Sequence, residues 1–240
     1  MIKKIIVLVL ATATLIACKE EKKENTNLHL SGNIEGLSQG KLYIQQLKDS
    51  TLAVMDSITI KGDSKFQVDL NIDGPEMLYI FLDRGQTNSI DNNLQFFAEP
   101  GNMTIETTLD AFFANAKVTG SKNHDLYVEF NEMKSKFNDK KMALIEHEFK
   151  NITEKKSNNK DSIIDANNKL IRKRYLYTAN FASIHGDKEI APYLALTEIA
   201  DINIRYLDTI ESKMKPEVAK SKYGKMLKSY IEERKKTEIK

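Results

Sequence analysis

The sequence predicts an α+β chain: an N-terminal antiparallel β-sheet or sandwich-like domain followed by an all-helical domain. Three observations carry this. Between residues 28 and 120 apolar residues alternate with polar ones, and the breaks between the runs are rich in Gly, Pro, Asn and Asp, which is the pattern of strands joined by turns. Beyond Gly120 the apolar spacing changes to threes and fours, the pattern of amphipathic helices. The change happens once, and a run of strands followed by a run of helices reads as α+β. The predicted divisions are a leader over 1–17, a charged tether over 18–27, a β-rich domain over 28–120 and a helical domain over 121–240.

The leader comes first. Lys3 and Lys4 precede an apolar core over 5–10, then small residues at Ala11, Ala13 and Ala17, the three parts of a secretory signal. The apolar stretch is shorter than the roughly 20 residues that span a bilayer. Its ending, Leu15-Ile16-Ala17-Cys18, resembles the bacterial lipobox: an aliphatic residue, a tolerant position, a small residue and cysteine. The resemblance implies diacylglycerol on the Cys18 thiol and cleavage between Ala17 and Cys18, so the mature chain is expected to be lipid-anchored in the outer membrane. Acyl chains add about 0.8 kcal/mol of membrane affinity per buried methylene, which makes several chains a firm anchor. Residues 19–27 (KEEKKENTN) contain no apolar side chain and read as a solvated tether. Its start, Lys19-Glu20-Glu21, resembles the short lysine-plus-acidic signal that exports lipoproteins of Bacteroidetes to the cell surface. A plain tether has the same composition, so both the periplasmic and the surface face stay open.

Composition narrows the function. Removing residues 1–17 takes two lysines from 36 basic residues, leaving 34 against 34 acidic ones, and a mature chain of 223 residues that is formally neutral. This is not the clustered basic excess of a nucleic-acid binder. Cys18 is the sole cysteine, so once it carries lipid neither a disulfide nor Cys-x-x-Cys redox chemistry remains to this sequence.

In the β half, Leu28, Leu30 and Ile34 share one face, Leu42 and Ile44 follow a turn over 36–40, and Leu52 and Val54 follow Lys48-Asp49-Ser50. Ile58 and Ile60 are expected to pair with Phe66, Val68 and Leu70 in a hairpin across Lys61-Gly62-Asp63-Ser64, where Gly62 supplies a positive φ. Residues 77–82 (MLYIFL) are apolar on both faces, which marks a central strand covered on both sides or one lying against the helical half, and makes this stretch the best candidate for the middle of the sheet. A polar connection follows over 83–93. Residues 94–98 and 103–107 are expected to form a second hairpin across Glu99-Pro100-Gly101-Asn102, a type II turn sequence.

In the helical half, Leu126, Phe130, Met133, Phe137 and Leu144 lie on one stripe, with Ser121 or Asn123 as the cap and Asp125 in the first turn. A polar break at 155–160 separates this helix from a second one carrying Ile163, Leu170, Tyr177 and Ile184 at sevenfold spacing, stopped by a left-handed Gly186. A third helix starts after Asp187, with Pro192 tolerated only near its first turn, and carries Leu194, Leu196 and Ile199. Short amphipathic helices over 204–214 and 223–236 flank Pro216.

Several short motifs extend the picture: Gly32-x-Ile34-x-Gly36, Asp56-Ser57, Phe96-Phe97-Ala98-Glu99-Pro100-Gly101, Thr119-Gly120-Ser121, Ala191-Pro192-Tyr193 and Ser221-Lys222-Tyr223-Gly224. Together they resemble the domain-of-unknown-function 4369 family. This is the N-terminal domain plus helical connector of thioredoxin-like, thiol-disulfide interchange type lipoproteins of Bacteroidetes. In those relatives a thioredoxin fold with Cys-x-x-Cys follows the connector, whereas this sequence ends at Lys240 without one. The resemblance therefore implies an accessory subunit acting in trans with a thioredoxin-like oxidoreductase, or a truncated form of such an enzyme.

No catalytic constellation stands out. His29, His124, His147 and His185 have no metal-ligand spacing, and Glu146-His147-Glu148 is not the zinc-protease motif. No Gly-rich loop leads from a strand into a helix, and no Gly-x-Ser-x-Gly elbow is present. The expectation is a non-enzymatic envelope lipoprotein without cofactor or metal, a binding or scaffold module held by its lipid and contacting a protein partner in the envelope.

Overall fold

A computed structural model of the chain describes residues 25–85, 90–153 and 160–238. The strands are β1 (Leu28–Glu35), β2 (Gln39–Lys48), β3 (Thr51–Lys61), β4 (Lys65–Leu70), β5 (Glu76–Asp83), β6 (Asn93–Ala98), β7 (Gly101–Thr108) and β8 (Lys117–Thr119). They form two four-stranded sheets, one in the order β4-β1-β7-β8 and the other β3-β2-β5-β6. Alternate residues of each strand point into the space between the sheets. Leu28, Leu30, Ile34, Leu42, Ile44, Phe66, Val68, Leu78, Ile80, Phe96 and Ile105 meet there in one apolar core. The polar alternates face water, as in β4, whose residues are buried and exposed in strict turn. The α+β class and its order are those the sequence predicts.

Both expected hairpins are replaced by crossovers between sheets. β4 pairs antiparallel with β1, Val68 opposite Leu30, while β3 pairs with β2. β7 lies parallel to β1, with Met103 opposite Leu30, while β6 pairs with β5. The turns at 61–64 and 99–102 therefore carry the chain from one sheet to the other. Gly62 and Gly101 do adopt positive φ, at 86° and 128°. The reason for the difference is that a period of two fixes which face of a strand is buried and says nothing about its neighbour. The alternation is identical whether the next strand lies beside it or across the core. β1 against β7 also makes one pair parallel in an otherwise antiparallel-rich architecture.

β5 is the central strand expected from its two apolar faces, lying between β2 and β6. Leu78, Ile80 and Leu82 face the sandwich core, whereas Met77 and Tyr79 face the helices. β6 divides its aromatic pair the same way, Phe96 inward and Phe97 outward.

The helices are α1 (Lys122–Thr153), α2 (Lys160–Ile184), α3 (Ile190–Glu198), α4 (Ile204–Lys213), α5 (Pro216–Lys220) and α6 (Lys222–Glu238). Ala179, Ala182, Ala195, Leu207, Ile210, Leu227 and Ile231 build a separate core among α2, α3, α4 and α6. Pro192 falls in the first turn of α3, where its missing N–H costs nothing. Gly186 is not a left-handed stop. A Cβ there would lie 2.3 Å from the carbonyl oxygen of Lys213, so glycine is needed for the close approach of the α4 terminus. Of the polar break expected at 155–160, Lys160 begins α2 and the rest lies outside the described residues, and no described helix is long and apolar enough to cross a membrane.

Candidate functional site

The predicted site residues Leu15, Ile16, Ala17 and Cys18, and the export residues Lys19, Glu20 and Glu21, lie outside the described residues. The histidines do not converge. His29 pairs with Asp69 at 2.7 Å on the β1–β4 surface, His147 contacts Asn151 along α1, and His185 lies against the Phe181 ring. Among the described residues no group of three or more His, Cys, Asp or Glu is placed to hold a metal ion.

What the fold does bring together is a joint between the outer face of the β3-β2-β5-β6 sheet and the helices. Met77 and Phe97 supply its sheet side, and Phe130, Phe181, Ile190, Leu194 and Tyr223 its helical side. The rings interlock edge to face: Phe97 lies 5.5 Å from Tyr193 and 5.9 Å from Tyr223, and Tyr193 lies 5.1 Å from Tyr223. Burial pushes the Tyr193 and Tyr223 phenols far above the ordinary tyrosine range, so both stay protonated.

A polar network crosses the same joint. The Glu99 carboxylate, at the crossover after β6, accepts hydrogen bonds from Ser121 Oγ at 3.1 Å, from the Asn123 backbone N–H at 2.6 Å and from Asn123 Nδ2 at 2.8 Å. Asn123 Nδ2 also donates to Glu189 at 3.0 Å, and Asn123 Oδ1 accepts from the backbone N–H of Ile190 at 2.8 Å. Both residues offered by the sequence as caps therefore act, in different places. Ser121 caps α1 by accepting from the His124 N–H at 2.9 Å. Asn123 caps α3, whose own N-cap residue Glu189 makes no side-chain cap bond. One buried amide thus ties the β6 crossover, the start of α1 and the start of α3.

Next to it His124 Nδ1 accepts a hydrogen bond from the Phe97 backbone N–H at 3.2 Å. The ring is buried, and desolvation holds its pKa below the ordinary histidine value, with the Asp125 carboxylate opposing. The acceptor role requires that nitrogen to be unprotonated. At the other end of the joint, buried Glu76 accepts from Lys222 Nζ at 2.5 Å and from Gln46 Nε2 at 2.7 Å. The Met77 N–H donates to Tyr223 Oη at 3.0 Å. Tyr223→Phe removes that acceptor and leaves a buried N–H unpaired, so denaturant titration should show a loss of about 1–3 kcal/mol.

The motifs singled out in the sequence meet here. Phe97 and Glu99, Ser121, Tyr193, and Lys222 with Tyr223 come from separate stretches and share one interface. Asn123 and His124 were not predicted as a joint, and the signal available was only a pair of polar residues at a helix start. Two surface hollows lie nearby, one of about 700 Å³ at the open end of the sandwich beside Met55 and Asp69, and one of about 530 Å³ beside Tyr79, Gln95 and Phe113.

This geometry defines a β-sandwich locked to a helical domain through one outer sheet face. Residues 28–127 match the model of a domain of unknown function (DUF4369), the family the sequence resembles. The match takes in Glu99, Ser121, Asn123 and His124, and stops before the helical partners Glu189, Tyr193 and Tyr223. No curated protein and no solved structure matches the chain.

Proposed function

We propose that the mature chain is a lipid-anchored envelope lipoprotein of the outer membrane, acting as a non-catalytic binding or scaffold module for a protein partner. The observation that carries the anchor is Leu15-Ile16-Ala17-Cys18 behind a short apolar run, followed by a charged tether over 19–27 that contains no apolar side chain. The support for a non-catalytic role is where the buried polar groups go. Glu99, Asn123, His124, Glu76 and Lys222 are each engaged in joining the two halves.

Cys18→Ser tests the anchor. In detergent phase partitioning of cells expressing the full chain, the unaltered protein enters the detergent phase with an N-terminal mass raised by acyl chains. The variant is expected in the aqueous phase with its leader intact or differently cut. An unmodified Cys18 thiol on an aqueous wild-type protein overturns the reading. Protease added to intact cells then assigns the face, with digestion expected if Lys19-Glu20-Glu21 acts as an export signal.

A second reading rests on the resemblance read from the sequence motifs. As in the covalently joined relatives that the sequence resembles, the module would position a separate thioredoxin-like oxidoreductase or its substrate. Stoichiometric co-purification of such a protein after crosslinking supports this reading, and its absence refutes it.

A further inference from the structure

One end of the sandwich receives the charged tether, and it is held there by Asn27. The Asn27 backbone N–H donates to the Leu70 carbonyl at 3.0 Å, and its own carbonyl accepts from the Gly101 N–H at 2.8 Å. Its side chain donates to the Ile72 carbonyl at 2.7 Å and accepts from the Ile72 N–H at 3.0 Å. The chain therefore joins the folded body at the end where β1 and β7 start and β4 stops.

The β2–β3 turn lies at the same end, since Thr26 lines the hollow of about 700 Å³ together with Lys48 and Val54. Leu47 and Leu52 are directly opposite each other across that turn, and Val54 follows two residues along β3. They are 43%, 44% and 54% exposed, and they make up three of the four large apolar side chains that residues 28–120 expose, with Phe113 the other. Around them Lys48 stands against Asp49 and Asp73, while Asp69 is paired with His29 and Lys222 with Glu76. This end offers apolar contact without a patch of one charge sign.

The length of the tether says what meets it. Residues 19–26 follow Cys18 up to Thr26, and a fully extended chain advances at most about 3.6 Å per residue. Thr26 therefore stands no more than about 29 Å from a bilayer that holds acyl chains on Cys18, and a flexible coil averages roughly half of that. The far end of β3, at Lys61, lies about 30 Å further along the strand from Leu52.

We infer that the tip formed by Leu47, Leu52 and Val54 seats in the headgroup and acyl boundary of the bilayer that carries the protein's own lipid. The inference rests on the anchor proposed above and adds a second contact to it. A short tether holds the tip at an effective concentration of roughly millimolar, so that weak partitioning of three apolar side chains is enough to keep them in place. Two contacts fix an orientation that one flexible tether cannot, and they turn the opposite end of the sandwich, with the turn at Gly62, away from the membrane.

The test uses the full chain, acylated in cells and reconstituted into vesicles of phosphatidylethanolamine and phosphatidylglycerol whose acyl chains carry a nitroxide quencher. Leu52→Cys and Lys61→Cys, on the same strand, are each labelled with a polarity-sensitive fluorophore, and the unsubstituted chain is the blank because acylation blocks its sole thiol at Cys18. The label at position 52 should be blue-shifted and lose about half of its emission, whereas the label at position 61 should lose little. Adding Leu47→Asp and Val54→Asp should restore the emission at position 52 while the protein still floats with the vesicles and keeps its circular dichroism. Equal quenching at the two positions, no effect of the aspartates, or a blue shift at position 52 without quenching by lipid would each overturn the inference in a protein that floats and carries the acyl mass. A chain that takes label at Cys18 and does not float would instead remove the anchor itself, and the seat with it.

Discussion

Asn123→Ala is expected to lower the unfolding free energy by about 3–5 kcal/mol, because it strands several buried polar groups at once. Without the amide, the Ile190 N–H at the start of α3 loses its acceptor, and Glu99 and Glu189 each lose a donor. Asn123 is 1% exposed, so water does not readily replace what is removed. For a chain of this size the thermal midpoint should fall by on the order of 10 °C. Calorimetry of the wild type and the variant reads this directly. Ser121→Ala, which removes the α1 cap while Asn123 still contacts Glu99, should cost about 1 kcal/mol. A ranking with Ser121 above Asn123 would show that the amide is not the hub.

The second large effect is on acid stability. A histidine whose pKa is lower folded than unfolded binds fewer protons in the native state across the interval between the two values. Stability therefore rises with pH through that interval. For His124 the contribution is complete above the ordinary value of 6.5 and is lost as pH falls below it toward the folded value. Protonation would also turn Nδ1 from acceptor into donor, facing the Phe97 N–H that it now receives. The expected slope approaches about 1.4 kcal/mol per pH unit within the interval. His124→Asn places an oxygen acceptor near the Nδ1 position without a titrating group. That variant should be modestly less stable at pH 8 and should lose the part of the pH dependence that lies below 6.5. Urea midpoints measured from pH 8 to pH 5 test this, and an unchanged slope in His124→Asn would refute the assignment.

How much of this could be read from the residues follows from what each signal encodes. Alternation along β1 and β4 set Leu30 and Val68 among the apolar alternates of their strands, and both are buried. The same alternation could not tell that Met103 lies beside Leu30 in a parallel pair and not beside Ala98 in a hairpin. The double-faced stretch at 77–82 was legible because burial on both sides leaves no polar alternates. It led directly to the central strand on which the joint is built. α5 was not anticipated, since five residues are too few to show a helical period. The joint itself was legible only in pieces. Glu99 looked like turn chemistry and Asn123 like an ordinary cap, because their partners lie 24 and 67 positions away along the chain. Phe97 and Tyr193, legible in the sequence only as members of separate short motifs, meet in a core between the two halves and not within either.

The central structural claim is that this joint makes the β half and the helical half a single cooperative body, which is why its polar groups are buried and paired. Hydrogen exchange of the full chain, read by mass spectrometry, tests it most directly. Backbone amides of β6 and of α3 should exchange through the same opening, with equal protection in the wild type, and Asn123→Ala should lower both together. Protection of α3 well below that of β6 in the wild type, with β6 unmoved by Asn123→Ala, would contradict the account.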